Sequence, residues 1–337
     1  MDLSRREFAG GLGALGLLAA LDPGAAAKAP PLPFPELSAS GSPGAVGLVH
    51  GRTFAAQVKD NVAFYVRWLA RVTGRSPTQL LHTARRFKPV LARHHPEILE
   101  EIQGIAKGAR RLLDELLLVN ARTDMLVMAA REKKTRPSKR AASSPGPGCT
   151  ALALLGRVGH GGPRVALGQN WDWRKDLEKH TLVLRVKPRR GPRLVTFTEA
   201  GMVGKIGFNE HRLGVCLNFL SHKSDDPDGE VGIPVHCLLR LVMGCRSIEE
   251  AHKLVAWAPR CASANFLVAR HGSTGPEVLD LEITNGAVGR LRIPPGGTYL
   301  VHTNHYKNVA LSPGCTSGHG RCGSPLIEIG TSPTPKA

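Results

Sequence analysis

Apolar residues between position 53 and about position 127 recur every three or four residues, which is the spacing of one face of an α-helix. In the first run, Phe54, Val58, Val62 and Leu69 follow this spacing. Residues that commonly begin or end helices divide the segment into four predicted helices: Gly74, Ser76-Pro77, Pro96 and Asp114. The pattern therefore predicts a helical first half of the chain.

After position 149 the pattern changes to short apolar runs that are typical of β-strands. Two helical segments, 235–243 and 248–257, interrupt these runs. The predicted strands are 150–155, 165–169, 182–186, 194–198, 214–218, 266–269, 278–283 and 298–301. Helices, then strands, then helices, then strands predict an α+β protein with stacked sheets that helices cover.

The first residues have the features of an export signal. Ser4-Arg5-Arg6-Glu7-Phe8 is a twin-arginine pattern, an apolar segment follows at 9–21, and Ala25-Ala26-Ala27 is a small-residue cleavage site. We expect a signal peptide over 1–29, the twin-arginine machinery as a partner, and a periplasmic or extracellular location. An amphipathic N-terminal helix is the alternative, and it does not explain the order of these three features.

Two further segments lack periodicity. Residues 30–47 are rich in Pro, Ser and Gly, so we expect a mobile linker there. Residues 131–148 are basic and then rich in Ser, Pro and Gly, and no aromatic residues interleave with the charges. A solvated loop fits this second segment better than a patch for nucleic acid or membrane.

The formal net charge of +18 permits nucleic acid, anionic membranes or acidic substrates as partners. Because the basic residues are scattered along the whole chain, we expect no nucleic-acid partner. A GxGxxG match at 11–16 lies inside the signal and follows no strand, so it is no dinucleotide site, and we expect no cofactor.

The chain has seven cysteines, which leaves at least one unpaired in an exported protein. No CxxC pair occurs, and we expect no metal site. Cys315 and Cys322 are candidates for a local disulfide. The cysteines in apolar or helical surroundings are expected to be buried: Cys216, Cys237, Cys245 and Cys261.

Candidate chemistry is concentrated at Gly148-Cys149-Thr150 and at Gly168-Gln169-Asn170-Trp171-Asp172. If the bond between Gly148 and Cys149 is cut, Cys149 becomes a chain start with both a thiol and an α-amine. An α-amine has an unperturbed pKa of roughly 7.7–8.0, so it can act as the base for its own thiol. Each residue also has a structural interpretation, because Cys149 can be a buried thiol, Asp172 a cap or ion-pair partner, and Asn304 part of a turn.

Several blocks between about position 46 and position 306 resemble, in the same order, the acyl-coenzyme A:6-aminopenicillanic-acid acyltransferase (isopenicillin-N acyltransferase) family. That family consists of cysteine N-terminal-nucleophile (Ntn) hydrolases, and the chain resembles an exported bacterial relative. The matching blocks are His50-Gly51, 97–111, Asn120-Ala121-Arg122-Thr123-Asp124, Gly148-Cys149-Thr150, 168–172, 197–201, 204–209, Gly232-Ile233-Pro234, Ala262-Ser263-Ala264 and Val301-His302-Thr303-Asn304-His305.

The resemblance implies a four-layer αββα Ntn-hydrolase sandwich and autoproteolysis between Gly148 and Cys149. A helical segment, 48–148, would become the small subunit and stay associated with the catalytic segment, 149–306. Cys149 would attack an amide or thioester carbonyl and carry the acyl group. Asp172 would orient the amine, and Asn304 would donate its side-chain amide to the oxyanion. His302 and His305 are expected to be structural.

After Tyr306 the sequence departs from the family and becomes rich in Gly, Ser and Pro. We expect a disordered tail at 307–337 and a sandwich that is incomplete at its C-terminal end. The expected function is hydrolysis of an N-acyl amide of a small molecule or peptide, rather than acyl transfer, because coenzyme A is a cytoplasmic carrier. One alternative is an inactive, truncated remnant or a non-catalytic binding protein of the same family. Another is a nucleic-acid or surface-binding protein, an interpretation that rests on charge alone.

Overall fold

The structure is a computed structural model that describes residues 33–135, 148–157, 163–225 and 230–316. The predicted signal peptide, most of the basic loop before Gly148 and most of the predicted tail lie outside these residues. None of the helices in the described ranges is both long enough and apolar enough to cross a membrane.

The described residues before Cys149 form seven helices, where the sequence predicted four between positions 53 and 127. They are α1 (Pro43–Thr53), α2 (Ala55–Thr73), α3 (Pro77–Arg85), α4 (Phe87–His94), α5 (Pro96–Ala109), α6 (Leu113–Asn120) and α7 (Arg122–Thr135). The predicted boundaries at Gly74, Ser76 and Pro96 are confirmed. Gly74 ends α2 in the left-handed region at φ 76°, and Ser76 forms a capping box with Gln79. Asp114 lies in the first turn of α6 and does not cap it.

The prediction of a mobile linker at 30–47 is wrong for its described part. Strand β1 (Glu36–Gly41) and the start of helix α1 occupy it. Here glycine serves close packing, because a Cβ on Gly47 would lie 2.0 Å from the Glu101 carbonyl oxygen of α5. A Cβ on Gly104 of α5 would lie 2.3 Å from the Gly44 carbonyl oxygen in return. The glycines therefore allow α1 and α5 to touch backbone to backbone.

In the part of the chain that the structure describes, the strands form two sheets. The strands are β1 (Glu36–Gly41), β2 (Cys149–Arg157), β3 (Pro163–Trp171), β4 (Thr181–Pro188), β5 (Leu194–Glu199), β6 (Ile206–Asn209), β7 (Leu213–Phe219), β8 (Ala264–Gly272), β9 (Gly275–Ile283), β10 (Val288–Leu291) and β11 (Tyr299–His302). The large sheet has the order β1-β4-β5-β6-β7-β8-β9-β10, in which only the β1–β4 pair is parallel, and the small sheet has the order β11-β2-β3. The sequence analysis missed β1, β6 and β10.

Helices α8 (Val235–Val242) and α9 (Ile248–Trp257) complete the described helices, and the sequence predicted both. The described helices share one apolar core with one face of the large sheet, and the small sheet packs on the other face. Successive side chains of β8 point to opposite faces of the large sheet. Phe266 belongs to the core on the helix side, and Leu267 belongs to the core between the two sheets. The α+β class with stacked sheets is therefore confirmed.

The described residues form three of the four expected layers: helices, large sheet and small sheet. Leu152 and Leu154, on the outer face of β2, are 39% and 44% exposed. The expected disordered tail is wrong for residues 307–316, because the backbone N–H groups of Lys307 and Asn308 donate to the Glu282 carboxylate at 2.6 and 2.8 Å. Cys315 is disulfide-bonded, and Cys322 lies outside the described residues.

Candidate active site

Cys149 is the first residue of β2, and its side chain lies on the face of the small sheet that packs against the large sheet. The residue is 6% exposed, and the next inward-facing residues, Ala151 and Ala153, are fully buried. Trp171 of β3 stands directly opposite Cys149 in the ladder. Directly opposed residues share a face, so the indole ring lies beside the thiol.

The peptide bond between Gly148 and Cys149 is held at both of its polar atoms. The Gly148 carbonyl oxygen accepts a hydrogen bond from the Asp172 backbone N–H at 2.9 Å. The Cys149 backbone N–H donates to Asn304 Oδ1 at 2.6 Å. A donor at a carbonyl oxygen stabilises the negative charge that develops there during attack on the carbon. The bond is thus fixed in place and polarised at the carbon that the thiol would reach.

The Asp172 side chain follows the end of β3 and lies beside Gly148. A Cβ added to Gly148 would sit 3.2 Å from Asp172 Oδ2. Glycine therefore allows the carboxylate to approach the bond closely, and a larger residue would displace it.

Asn304 follows β11 and joins the two sheets at the site. Its Nδ2 donates to the Phe219 carbonyl oxygen at 2.9 Å, at the end of β7 in the large sheet. Its Oδ1 is the acceptor for Cys149 described above. In the uncleaved chain the oxygen and one N–H of the Asn304 side-chain amide are therefore both engaged.

The predicted residues Gly148, Cys149, Asp172 and Asn304 are thus brought together. Burial raises the pKa of the Cys149 thiol above its ordinary value. The positive charge of Lys205 and the backbone N–H groups of Asp172 and Phe219 act in the opposite direction. The thiol is therefore mainly protonated at neutral pH and needs a base before it can attack.

A buried polar cluster adjoins this site, and the sequence analysis assigned no role to its members. Glu199, at the end of β5, accepts hydrogen bonds from Tyr65 Oη at 2.7 Å, an Arg122 terminal nitrogen at 3.1 Å and Lys205 Nζ at 3.2 Å. Arg122 also donates from Nε to Tyr65 Oη at 2.7 Å and contacts His236 Nε2. Each of these side chains is at most 4% exposed.

Lys205 connects this cluster to the candidate nucleophile. Its Nζ lies 2.7 Å from the ring centroid of Trp171, the residue opposite Cys149. Burial lowers the pKa of Lys205 to about 7, although Glu199 acts to raise it. Burial would raise the pKa of Glu199, but Arg122 and Lys205 together hold it below its ordinary value. The cluster therefore contains a firmly ionised carboxylate and a lysine that is partly uncharged at neutral pH.

The histidines near Asn304 have structural partners. His302 is fully buried between the sheets, 2.7 Å from Glu282 Oε1 and 3.9 Å from Asp280 Oδ2, and these carboxylates raise its pKa against the effect of burial. His305 Nδ1 lies 2.8 Å from Thr303 Oγ1. Among the residues that the structure describes, no group of three or more His, Cys, Asp or Glu side chains could hold a metal ion.

An aromatic group lies between the site and a surface hollow. The ring centroid of Phe197 is 6.2 Å from that of Trp171 and 5.1 Å from that of Phe34. Phe34 also lines a hollow of about 940 Å³, whose other walls include Asp60 and Arg67 of α2. The hollow is rich in charged groups, and the three rings connect it to Trp171, the residue opposite Cys149.

The solved structure of penicillin V acylase from Agrobacterium tumefaciens aligns with 47% of this chain and 41% of its own length, at 16% identity and a TM-score of 0.23. An overlap of this extent supports no inference about this chain.

The family model for acyl-coenzyme A:6-aminopenicillanic acid acyl-transferase matches residues 159–315. This region contains Asp172, Glu199, Lys205 and Asn304, and it begins after Cys149. The 40 kDa form of acyl-coenzyme A:6-aminopenicillanic-acid-acyltransferase from Emericella nidulans is 27% identical over 275 residues, which are 80% of this chain and 69% of that protein. Over these residues the chain is therefore similar to the acyl-coenzyme A:6-aminopenicillanic acid acyl-transferase family.

Proposed function

We propose that this chain cleaves itself between Gly148 and Cys149 and then acts as a cysteine hydrolase on N-acyl amides. One observation carries the proposal: the bond to be cut is the one whose carbonyl accepts from Asp172 and whose N–H donates to Asn304. The same peptide places Cys149 at the first position of a strand that faces the core between the sheets.

Self-cleavage would proceed by an N-to-S acyl shift. The Cys149 sulfur attacks the Gly148 carbonyl carbon, and the resulting alkoxide is stabilised by the Asp172 N–H. Collapse breaks the C–N bond, and the nitrogen takes a proton to become the α-amine. Water then hydrolyses the Gly148 thioester, which leaves a Gly148 carboxylate and a free Cys149 thiol.

The mature Cys149 would repeat this chemistry on a substrate amide. The α-amine takes the thiol proton and passes it to the leaving amine, and the acyl group stays on sulfur as a thioester until water releases it. Asn304 is then free to turn its Nδ2 towards the oxyanion, and Asp172 remains beside the amine. No step needs a cofactor or metal.

Hydrolysis is preferred to transfer because the N-terminal sequence predicts export, and acyl-coenzyme A is a cytoplasmic donor. The substrate is accordingly a small molecule or peptide with a linear N-acyl amide. Helices α1–α7 and the helix-side face of the large sheet share one apolar core, so the two fragments should remain associated after cleavage.

The test is the intact mass of the purified chain beside Cys149→Ala, with Cys216→Ala as the matched control, since Cys216 is also a buried cysteine in the core between the sheets. We expect the wild type and Cys216→Ala to give two co-purifying fragments, the larger one beginning at Cys149. Cys149→Ala should remain a single folded chain without amidase activity. Full amide turnover by Cys149→Ala would contradict the proposal.

The alternative of a non-catalytic remnant is favoured by one observation, the exposure of Leu152 and Leu154 on the outer face of β2. An enzyme core of this kind would ordinarily cover such a face. A folded, monodisperse wild-type protein that stays uncut and hydrolyses no N-acyl amide would support this alternative.

A further inference from the structure

Self-cleavage needs a base for the Cys149 thiol proton, and the α-amine that would serve in the mature enzyme does not yet exist. In the uncut chain the nitrogen of Cys149 is an amide, and its N–H donates to Asn304 Oδ1. An amide nitrogen cannot accept the thiol proton, and burial keeps that proton on the sulfur. If the chain cleaves itself as proposed above, another group must take the proton in this first reaction.

Lys205 and Asp172 are the titratable side chains that act most strongly on the charge of the Cys149 thiol. The Asp172 carboxylate is exposed and disfavours the thiolate, and carboxylates are ordinarily too acidic to hold a thiol proton. Lys205 favours the thiolate and is almost fully buried, at 1% exposure. Of these two groups, the lysine is therefore the better base by its chemistry and by the sign of its effect on the thiol.

The surroundings of Lys205 hold its amine in one place. Glu199 Oε1 accepts one N–H at 3.2 Å, and the ring of Trp171 lies beneath the nitrogen. Trp171 is opposite Cys149 in the β2–β3 ladder, so the amine is one side chain away from the thiol. A neutral amine donating to Glu199 keeps its lone pair for an incoming proton.

We propose that Lys205 is the base for self-cleavage: its Nζ takes the Cys149 Sγ proton while the sulfur bonds to the Gly148 carbonyl carbon, and Glu199 and Trp171 position it. The Lys205 ammonium then returns the proton to the Cys149 nitrogen as the C–N bond breaks. Lys205 ends neutral, and the products are a thioester and a free amine. After this first reaction, the α-amine takes over as base.

The test follows cleavage of newly made precursor in time, by cell-free synthesis and mass spectrometry, between pH 5.5 and 9. Burial lowers the pKa of Lys205 to about 7. The wild-type rate should therefore rise about tenfold per pH unit below pH 7 and level off above it. A flat wild-type profile across this range would overturn the proposal without any variant.

Two substitutions separate a base from a structural cation. Lys205→Met should slow cleavage at least about 100-fold at pH 8, which is typical for loss of a general base. Lys205→Arg keeps the charge and the ion pair with Glu199 but cannot take a proton, because arginine stays charged at every pH used. It should be as slow as Lys205→Met, and a rate near wild type in Lys205→Arg would show that only the charge matters.

The matched control is Lys253→Met, the same substitution at an exposed lysine on α9, which should cleave at the wild-type rate. If the wild type and this control both remain uncut, self-cleavage itself fails, and the role of Lys205 fails with it. If both cleave and Lys205→Met cleaves equally fast, only the role of Lys205 is refuted. If Lys205→Met does not fold, the pH profile of the wild-type cleavage rate and the rate of Lys205→Arg still test whether Lys205 is the base.

Discussion

The substitution Glu199→Gln tests the buried cluster directly, because it removes the one carboxylate that both Arg122 and Lys205 contact. Glutamine keeps the size of the side chain but not its charge. Removing one partner from a buried ion pair costs about 3–5 kcal/mol, since the other charge stays buried without compensation. Glu199 is fully buried and accepts three hydrogen bonds, so an effect in this range is expected.

The size of this effect should depend on pH. At pH 8 most Lys205 is already uncharged, because burial lowers its pKa to about 7, so chiefly Arg122 is left unpaired. We expect about 3 kcal/mol of destabilisation there. At pH 6 the wild-type lysine is charged and paired, whereas the variant must either bury an unpaired ammonium or expel its proton. The loss should then grow by up to about 1.4 kcal/mol per pH unit below 7.

Both pH values lie where Glu199 is ionised. The pKa of Glu199 is held below its ordinary value of 4.5 in the folded state. A carboxylate of this kind contributes stability that is fully present above the unfolded pKa and lost as pH falls through the folded pKa. Protonation of Glu199 therefore does not affect the comparison between pH 6 and pH 8.

The assay is urea unfolding in a Cys149→Ala background, so that every sample is one uncut chain, with free energies from linear extrapolation. The control is Glu36→Gln, which removes an exposed ion pair with Arg185 and should cost less than about 1 kcal/mol. A Glu199→Gln effect no larger than that of Glu36→Gln would refute the reasoning, and so would an effect that is larger at pH 8 than at pH 6.

Three further outcomes follow from the site. Gly148→Ala should slow self-cleavage, because its Cβ would lie 3.2 Å from Asp172 Oδ2; precursor mass against time measures the rate, and an unchanged rate would contradict the close approach. Asn304→Ala should lower kcat of the cleaved enzyme about 10²–10³-fold with little change in KM, as loss of an oxyanion donor does; an altered KM alone would assign Asn304 to substrate binding. In the Cys149→Ala background, the contribution of Lys205 to the free energy of unfolding should rise by about 2 kcal/mol from pH 7 to pH 9. The reason is that Lys205 binds a proton in the unfolded chain and has lost it in the folded chain. Urea unfolding should show no such rise in Lys205→Met.

Periodic patterns located the regular elements well, but composition misled where packing was unusual. Helix α9 has the predicted bounds, and the Ser76 cap begins α3 as expected. The stretch before position 47 has the composition of a linker, yet Gly47 is small because the backbone of α5 touches it. Close packing of two helices and a flexible linker both favour glycine, so a single sequence cannot distinguish the two structures.

The candidate nucleophile could be found because its chemistry needs a particular local context. Gly148 and Cys149 are adjacent in sequence, and Asp172 closes the strand that pairs with β2. The polar cluster could not be found in this way. Tyr65 and Glu199 are 134 residues apart, and nothing local indicates that a charged residue at position 205 is buried rather than solvated.

In the proposed reaction, burial explains why the uncut chain can hold Cys149 and Lys205 near each other without forming a free thiolate. Desolvation disfavours charge, so it raises the pKa of the Cys149 thiol and lowers that of the Lys205 amine. Both groups are therefore held largely uncharged above pH 7, and proton transfer to form a free thiolate and ammonium is uphill. The transfer becomes favourable only as sulfur bonds to the Gly148 carbonyl carbon, because the negative charge then moves to an oxygen that the Asp172 N–H already contacts. If the chain cleaves itself as proposed, this arrangement directs the Cys149 thiol to one bond, and packing of the two sheets against each other supplies Lys205 as the base.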